Sequence, residues 1–178
     1  VNISGTGVNV TIKNIIINIT GGDSDTIRGI DVLSGSNNHL SLENVFLVSN
    51  RTSSSGVYLV YHNIDGSFYM DGVNVSNGSI YAGQNGIQGS VNNTRITGYI
   101  GENVGLSTEG NTKRNGDNIY INATGTGPTM SGITSKLMNS RFYAANGILN
   151  VVEDASIDNV TIHTTNNALS IERGQNIT

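Results

Sequence analysis

The chain has 178 residues, with 23 Gly, one Pro, no Cys and no Trp, and only 12% of its residues are charged. Without Cys there is no disulfide framework, no thiolate metal site and no Cys nucleophile, and a formal charge of −4 leaves no basic stripe for a nucleic-acid partner. No apolar run approaches the roughly 18 residues of a membrane-spanning helix, so direct membrane insertion is not expected either. In chain order, Val1 to Val10 already alternate like a strand. A motif then recurs: an apolar residue, any residue, Asn, and an apolar residue three positions on. It reads Ile12-Lys13-Asn14 to Ile17, Leu42-Glu43-Asn44 to Leu47, Val91-Asn92-Asn93 to Ile96, Leu137-Met138-Asn139 to Phe142, and Ile157-Asp158-Asn159 to Ile162. Two weaker copies are Met70-Asp71-Gly72 to Val75, and Asn118 to Ile121 with Gly116 in place of the leading apolar residue.

Asn and Gly are the residues that most readily take a left-handed backbone conformation, so an Asn replaced once by Gly marks a repeated bend. Anchors at 14, 44, 72, 93, 118, 139 and 159 are spaced 30, 28, 21, 25, 21 and 20 apart, within the range of solenoid repeats. Period-two alternation flanks each anchor, as in Asn159-Val160-Thr161-Ile162 and Gly72-Val73-Asn74-Val75. A second strand is expected where Gly precedes apolar residues: Gly29-Ile30, Gly56-Val57, Gly86-Ile87, Gly105-Leu106, Gly132-Ile133 and Gly147-Ile148, with Ala168 to Ile171 as the last copy. No stretch carries helical spacing over three turns, which excludes βαβ and leucine-rich alternatives. The expected class is all-β.

A solenoid of such coils is expected to be a parallel β-helix, in which the anchors Asn14, Asn44, Gly72, Asn93, Asn118, Asn139 and Asn159 lie along one bend and their amides bond along the axis. The pattern from about Ile12 to Ile171 resembles the asparagine ladder of right-handed parallel β-helix proteins, which include pectate lyases, phage tailspikes and passengers of bacterial autotransporters. Right-handedness follows from that resemblance and from the rule for parallel crossovers. About seven coils are implied. Because the repeat is running at both ends and solenoids need polar caps, residues 1–178 are read as a single β-helix fragment of a longer secreted protein.

Catalysis on polysaccharide would need two carboxylates on adjacent coils, or carboxylates for calcium beside a basic residue. In the Gly-preceded strand, Asp31 is expected to be followed outward by Tyr58, Gln88, Ser107, Thr134, Leu149 and Ser170, with no second carboxylate. Before the anchors, Glu43, Asp71, Asp117 and Asp158 alternate with Asn92 and Met138, and only Glu43 and Asp71 are on neighbouring coils. They are read as solvated charges that discourage edge pairing. Asp23-Ser24-Asp25 lacks the further ligands of a calcium loop. His39, His62 and His163 are read as polar surface residues outside any Ser triad. No catalytic residue, metal or cofactor is expected. Ten Asn-x-Ser/Thr sequons occur, and Asn content with strand alternation accounts for them. Asn159 among them is expected to be buried in the ladder.

The outward row two residues after the anchor reads Ile16, Phe46, Asn74, Arg95, Tyr120, Arg141 and Thr161. It would put guanidinium groups on both sides of a phenol, suited to sugars, carboxylate or sulfate. Lys113 and Arg114, in a long polar segment from Gly98 to Gly116, would add a basic spot beside it. Gly21 to Arg28 and Ser49 to Ser55 are the other loop candidates for binding. Composition and architecture together resemble the passenger region of a secreted bacterial adhesin, either an autotransporter or a filamentous exoprotein. That resemblance implies attachment at the cell surface to a host glycan or matrix protein, or to like chains. A polysaccharide lyase, a glycoside hydrolase or tailspike, and a purely structural stalk are the alternatives.

Overall fold

The computed structural model describes residues 1–20, 27–50, 57–62, 66–82, 88–98, 106–108, 114–123, 129–130, 135–144, 149–152, 156–165 and 169–173. Strands follow the anchors in groups. The first two groups are β1 (Asn2–Ser4) with β2 (Asn9–Ile19), and β3 (Ile27–Ser34) with β4 (Asn38–Ser49). Three-strand groups come next: β5 (Val57–His62), β6 (Gly66–Asp71), β7 (Asn74–Ser76); β8 (Ser79–Ala82), β9 (Gln88–Asn92), β10 (Arg95–Gly98); and β11 (Leu106–Thr108), β12 (Arg114–Asp117), β13 (Tyr120–Ala123). The remainder are β14 (Thr129–Met130), β15 (Ser135–Met138), β16 (Arg141–Ala144), β17 (Leu149–Val152), β18 (Ser156–Asp158), β19 (Thr161–Thr164) and β20 (Leu169–Arg173).

The described strands pair in parallel, group to group. One sheet runs β1-β3-β5-β8-β11-β14, and β17 pairs with β20. A second sheet runs β18-β15-β12-β9-β6-β4-β7-β10-β13-β16-β19, with β2 on β4. β4 passes through the bend unbroken and so joins two limbs, one built from residues before the anchors and one from residues after them. Parallel pairing between successive groups requires a crossover each time, so the arrangement is consistent with a β-solenoid.

Every anchor has positive φ: Asn14 54°, Asn44 52°, Gly72 66°, Asn93 47°, Asn118 52°, Asn139 49° and Asn159 52°. The bend turns the backbone donors over. Asn93, Asn118 and Asn139 donate their N–H to the following group, at Asp117, Met138 and Asp158, whereas Arg95, Tyr120 and Arg141, two residues later, donate to the preceding one at Val73, Thr94 and Ile119. In an unbroken strand, residues two apart point the same way.

The side-chain ladder is more mixed than a run of amides. Asn44 Nδ2 donates to Asn14 Oδ1 (3.2 Å), Asn118 to Asn93 (2.8 Å) and Asn159 to Asn139 (2.9 Å). Where Gly72 supplies no acceptor, Asn93 Nδ2 reaches Asp71 Oδ1 at 2.6 Å, and Asn139 Nδ2 likewise takes Asp117 Oδ1 at 2.9 Å. Asp71 and Asp117 are therefore acceptors in the ladder rather than simple solvated charges. All the anchor Asn residues are exposed, which corrects the expectation that Asn159 is buried: the αL bend points its side chain outward at a corner.

Behind the bend, Leu40, Leu42, Phe68, Met70, Val91 and Leu137 from one limb meet Val45, Leu47, Val75, Ile96, Ile121 and Phe142 from the other. Ile30, Leu59, Val60 and Ile80 close on them from the first sheet. Each such buried side chain contributes about 1.5–3 kcal/mol. Buried Ser140 is satisfied, accepting from Ile119 N–H (3.0 Å) and donating to Met138 O (2.6 Å).

Two further expectations change. The Gly-plus-apolar pattern mixes two strand types: Gln88 pairs with Ser67 in the limb before the bend, and Asp31 pairs with Tyr61, not Tyr58. Gly precedes strands at more than one corner, so spacing alone could not separate them. Thr134 lies outside the described residues, as do Asp23 to Asp25. Of the histidines, only His163 is exposed. His39 is half-buried with Nδ1 2.6 Å from Ser67 Oγ, and His62 is fully buried near Phe68, where among the described residues neither ring nitrogen has a hydrogen-bond partner.

Burial lowers the His62 pKa from 6.5 to about 4, partly offset by its own backbone, and the His39 charge adds to the lowering. The unfolded chain then takes up a proton near pH 6.5 that the folded chain refuses until about pH 4. Stability should fall by about 3 kcal/mol as pH drops through that window. Denaturation midpoints of wild type and His62→Leu measured from pH 7 to 4 should diverge accordingly, the variant losing this part of the slope; parallel curves would refute it. At the ladder, Asn139→Leu loses two side-chain bonds and places a γ-branched residue at φ 49°, and should cost about 1–3 kcal/mol. Asn139→Gly should cost less, and equal midpoints for all three proteins would remove position 139 from the ladder.

Candidate functional site

The limb after the bend sets the row two positions beyond the anchors. Backbone register pairs Ile16 with Phe46, Phe46 with Asn74, Asn74 with Arg95, Arg95 with Tyr120, Tyr120 with Arg141, and Arg141 with Thr161. Strands lie about 4.8 Å apart, so these side chains are nearest neighbours along one face. Alternation turns them outward because their neighbours Val75, Ile96, Ile121 and Phe142 are the buried ones.

Arg95 Cζ stands 4.3 Å from the Tyr120 ring centroid. Among the described residues the cation over that ring is Arg95 alone, so the expected sandwich from both sides is a stack from one. Arg141 is exposed on the next strand, and among the described residues neither arginine has a carboxylate partner. Lys113 lies outside the described residues. Arg114 begins β12 in the limb before the bend, paired with Gly89 and Ser135, and its backbone is thus not alongside the row. Of the long segment from Gly98 to Gly116, Leu106–Thr108 and Arg114 onward are strand rather than loop.

The row four positions after the anchor adds two rings that the sequence reading left out. Tyr143 pairs with His163, and their rings stack at 4.8 Å and 3°. Tyr120 and Tyr143 lie 5.9 Å apart, tilted by 50°. Extending the same alternation by one more step would have found both. At the other end, Phe46 (47% exposed) and Ile16 (66%) make the face apolar. Phe46, Asn74, Arg95 and Thr97 line an open depression of about 180 Å³, smaller than the roughly 300–1,000 Å³ of enclosed small-molecule pockets. The face can hold an extended ligand along its length; it does not enclose one.

The carboxylate row is in register as Lys13, Glu43, Asp71, Asn92, Asp117, Met138 and Asp158. Its one neighbouring carboxylate pair is already engaged. Glu43 Oε2 meets Lys13 Nζ at 2.8 Å, and Asp71 accepts from Asn93 and from the Tyr69 hydroxyl at 3.3 Å. The Asp71 charge in turn raises the Tyr69 pKa. Among the described residues no group of three His, Asp or Glu could hold a metal.

Comparison of the chain with protein-family models, with curated proteins and with solved structures finds no match in any of the three.

Proposed function

We propose that this chain is a non-catalytic segment of a secreted, surface-exposed bacterial adhesin of the autotransporter or filamentous kind. In this reading it is a right-handed parallel β-helix of about seven coils that attaches to anionic glycans of a host or neighbouring cell. The observation that carries the proposal is the register of Arg95, Tyr120 and Arg141 on three successive strands, with both cations lacking a carboxylate among the described residues. A planar guanidinium donates two parallel hydrogen bonds to a carboxylate or sulfate, and the phenol and imidazole rings beside it offer flat surfaces to sugar rings. A rigid solenoid supports such a face along its axis, and a Cys-free chain escapes disulfide locking in the periplasm before export.

Exposed charge contacts are screened within about 8 Å at physiological salt, so each copy binds weakly and attachment gains strength from many copies on one surface. The enzyme alternative draws no support from Glu43 and Asp71. Glu43 is ion-paired with Lys13, and Asp71 accepts from Asn93 and Tyr69, an arrangement that supplies the ladder and the surface rather than a pair facing a substrate cleft.

Immobilised heparin-like glycan should retain the wild-type protein in a salt-dependent manner. Arg95→Ala with Arg141→Ala should weaken retention about tenfold, from about 0.5–1 kcal/mol per exposed contact. A double variant with unchanged affinity and salt dependence would remove the row from the function. The protein should also release no unsaturated or reducing ends from acidic or neutral glycans, with or without calcium. Release that disappears in Glu43→Gln or Asp71→Asn would establish the enzyme instead.

A further inference from the structure

The row two positions after the anchors carries a regularity besides its register. On five successive strands, β7, β10, β13, β16 and β19, it reads Asn74, Arg95, Tyr120, Arg141 and Thr161, so a neutral hydrogen-bonding side chain alternates with a cation at every step. The pairing runs from strand to strand without a register shift, and the two cations are therefore two strand spacings apart, about 9.6 Å. Arg95 keeps to the level of its own strand. Its Cζ is 4.3 Å from the Tyr120 centroid, close to the roughly 4.8 Å between strands, so the guanidinium stacks along the axis.

Nothing described beside the row blurs that period. The next outward row reads Ser76, Thr97, Asn122 and Tyr143 in the same register, all uncharged, and the residues between the two rows are the buried Val75, Ile96, Ile121 and Phe142. The limb thus shows one cation for every two strands. At the Asn74 end the surface dips into the open depression of about 180 Å³, where Phe46 and Arg95 stand on either side of Asn74 and Ser76. Phe46 gives this hollow an apolar wall. Asn74 gives it an amide whose Nδ2 makes only a long bond, 3.4 Å, to Gly72 O.

We propose that the row is a ruler for a linear glycan in which charged and uncharged sugars alternate strictly, with a uronic acid at every second ring and an N-acetylated hexosamine between. This inference rests on the anionic-glycan reading and narrows it to one class of chain. Pyranose rings linked end to end advance by about one strand spacing, so a chain lying along the axis sets one ring on each strand. Carboxylates two rings apart then meet Arg95 and Arg141, each of which can donate two parallel hydrogen bonds. The intervening rings meet the hydroxyls of Tyr120 and Thr161 and the amide of Asn74. Over Asn74, the acetamido group enters the hollow with its methyl against Phe46. A chain charged at every ring gains little, because its extra anions face neutral side chains and exposed charges are screened by salt.

The test titrates the intact protein at low salt with three hexasaccharides of equal length: alternating glucuronate and N-acetylglucosamine, galacturonate at every ring, and N-acetylglucosamine at every ring. The alternating chain should bind about tenfold more tightly than either of the others. Arg95→Ala with Arg141→Ala should bring it down to the level of the neutral chain. Tyr120→Arg, which sets cations on three neighbouring strands, should reverse the order of the two acidic chains. If that variant loses its cooperative unfolding transition, Asn74→Arg, which sets cations on neighbouring strands at the other end of the row, replaces it. Equal binding of the two acidic chains, tighter binding of galacturonate, or an order that the added cation leaves unchanged overturns the ruler. Heparin-like glycan still retained through Arg95 and Arg141 would then leave the broader reading standing, whereas loss of that retention as well removes both.

Discussion

The left-handed bend at the anchor is the constraint on which the rest depends. An L-residue in that conformation costs about 1–2 kcal/mol, and six Asn anchors adopt it at φ between 47° and 54°, with Gly72 at 66°. Asn lowers the cost, and its amide then finds an acceptor on the neighbouring strand. Turning the backbone donors from one neighbour to the other is what lets a single chain of hydrogen bonds continue through a corner while the flanking side chains stay on the inside. Where Gly72 brings no side chain, Asp71, one position earlier, supplies the oxygen that Asn93 needs, and Asp117 serves Asn139 in the same way although Asn118 is present.

Once the bend recurs, parallel register turns a position within the repeat into a row on the surface. Each strand adds one side chain about 4.8 Å from the last, so one choice of residue per repeat determines a strip of chemistry. After the bend, the strip changes from apolar Ile16 and Phe46 to the cation and ring pair of Arg95 and Tyr120. On the first sheet the strip goes from the Arg28 and Asp31 ion pair to the stacked rings of Tyr61 and Tyr81. A surface of this kind suits long ligands with repeating units better than compact ones.

Inside the stack, polarity is tolerated where a partner is built in. Ser140 at the position after its anchor bridges two strands, and Thr94 at the equivalent position donates to Asn92 O at 2.9 Å. His62 is the contrast: among the described residues its fully buried ring has no hydrogen-bond partner, and it is carried in its neutral form, a source of acid sensitivity in the core.

The sequence by itself determined the all-β class, the positions of the seven anchor bends and the register of both anchor-linked rows, because αL geometry favours Asn and Gly strongly. Asn37 and Asn77, which also take αL φ outside that repeat, carry no such spacing to reveal them. From those anchors, counting two residues on placed Arg95, Tyr120 and Arg141 side by side, and counting four would have added Tyr143 and His163. The tertiary structure decided what counting could not reach. An inward bulge at Leu59, where the register of β5 to β8 shifts between Tyr58 and Val60, displaces a period-two pattern by one and brings Tyr58 beside Tyr61. The burial of His62 follows from that same shift. Asn139 bonding Asp117 instead of Asn118, and Asp31 facing Tyr61 instead of Tyr58, are likewise choices between nearly equivalent neighbours. Such choices depend on ångström-scale offsets between packed strands, and no local spacing carries that information.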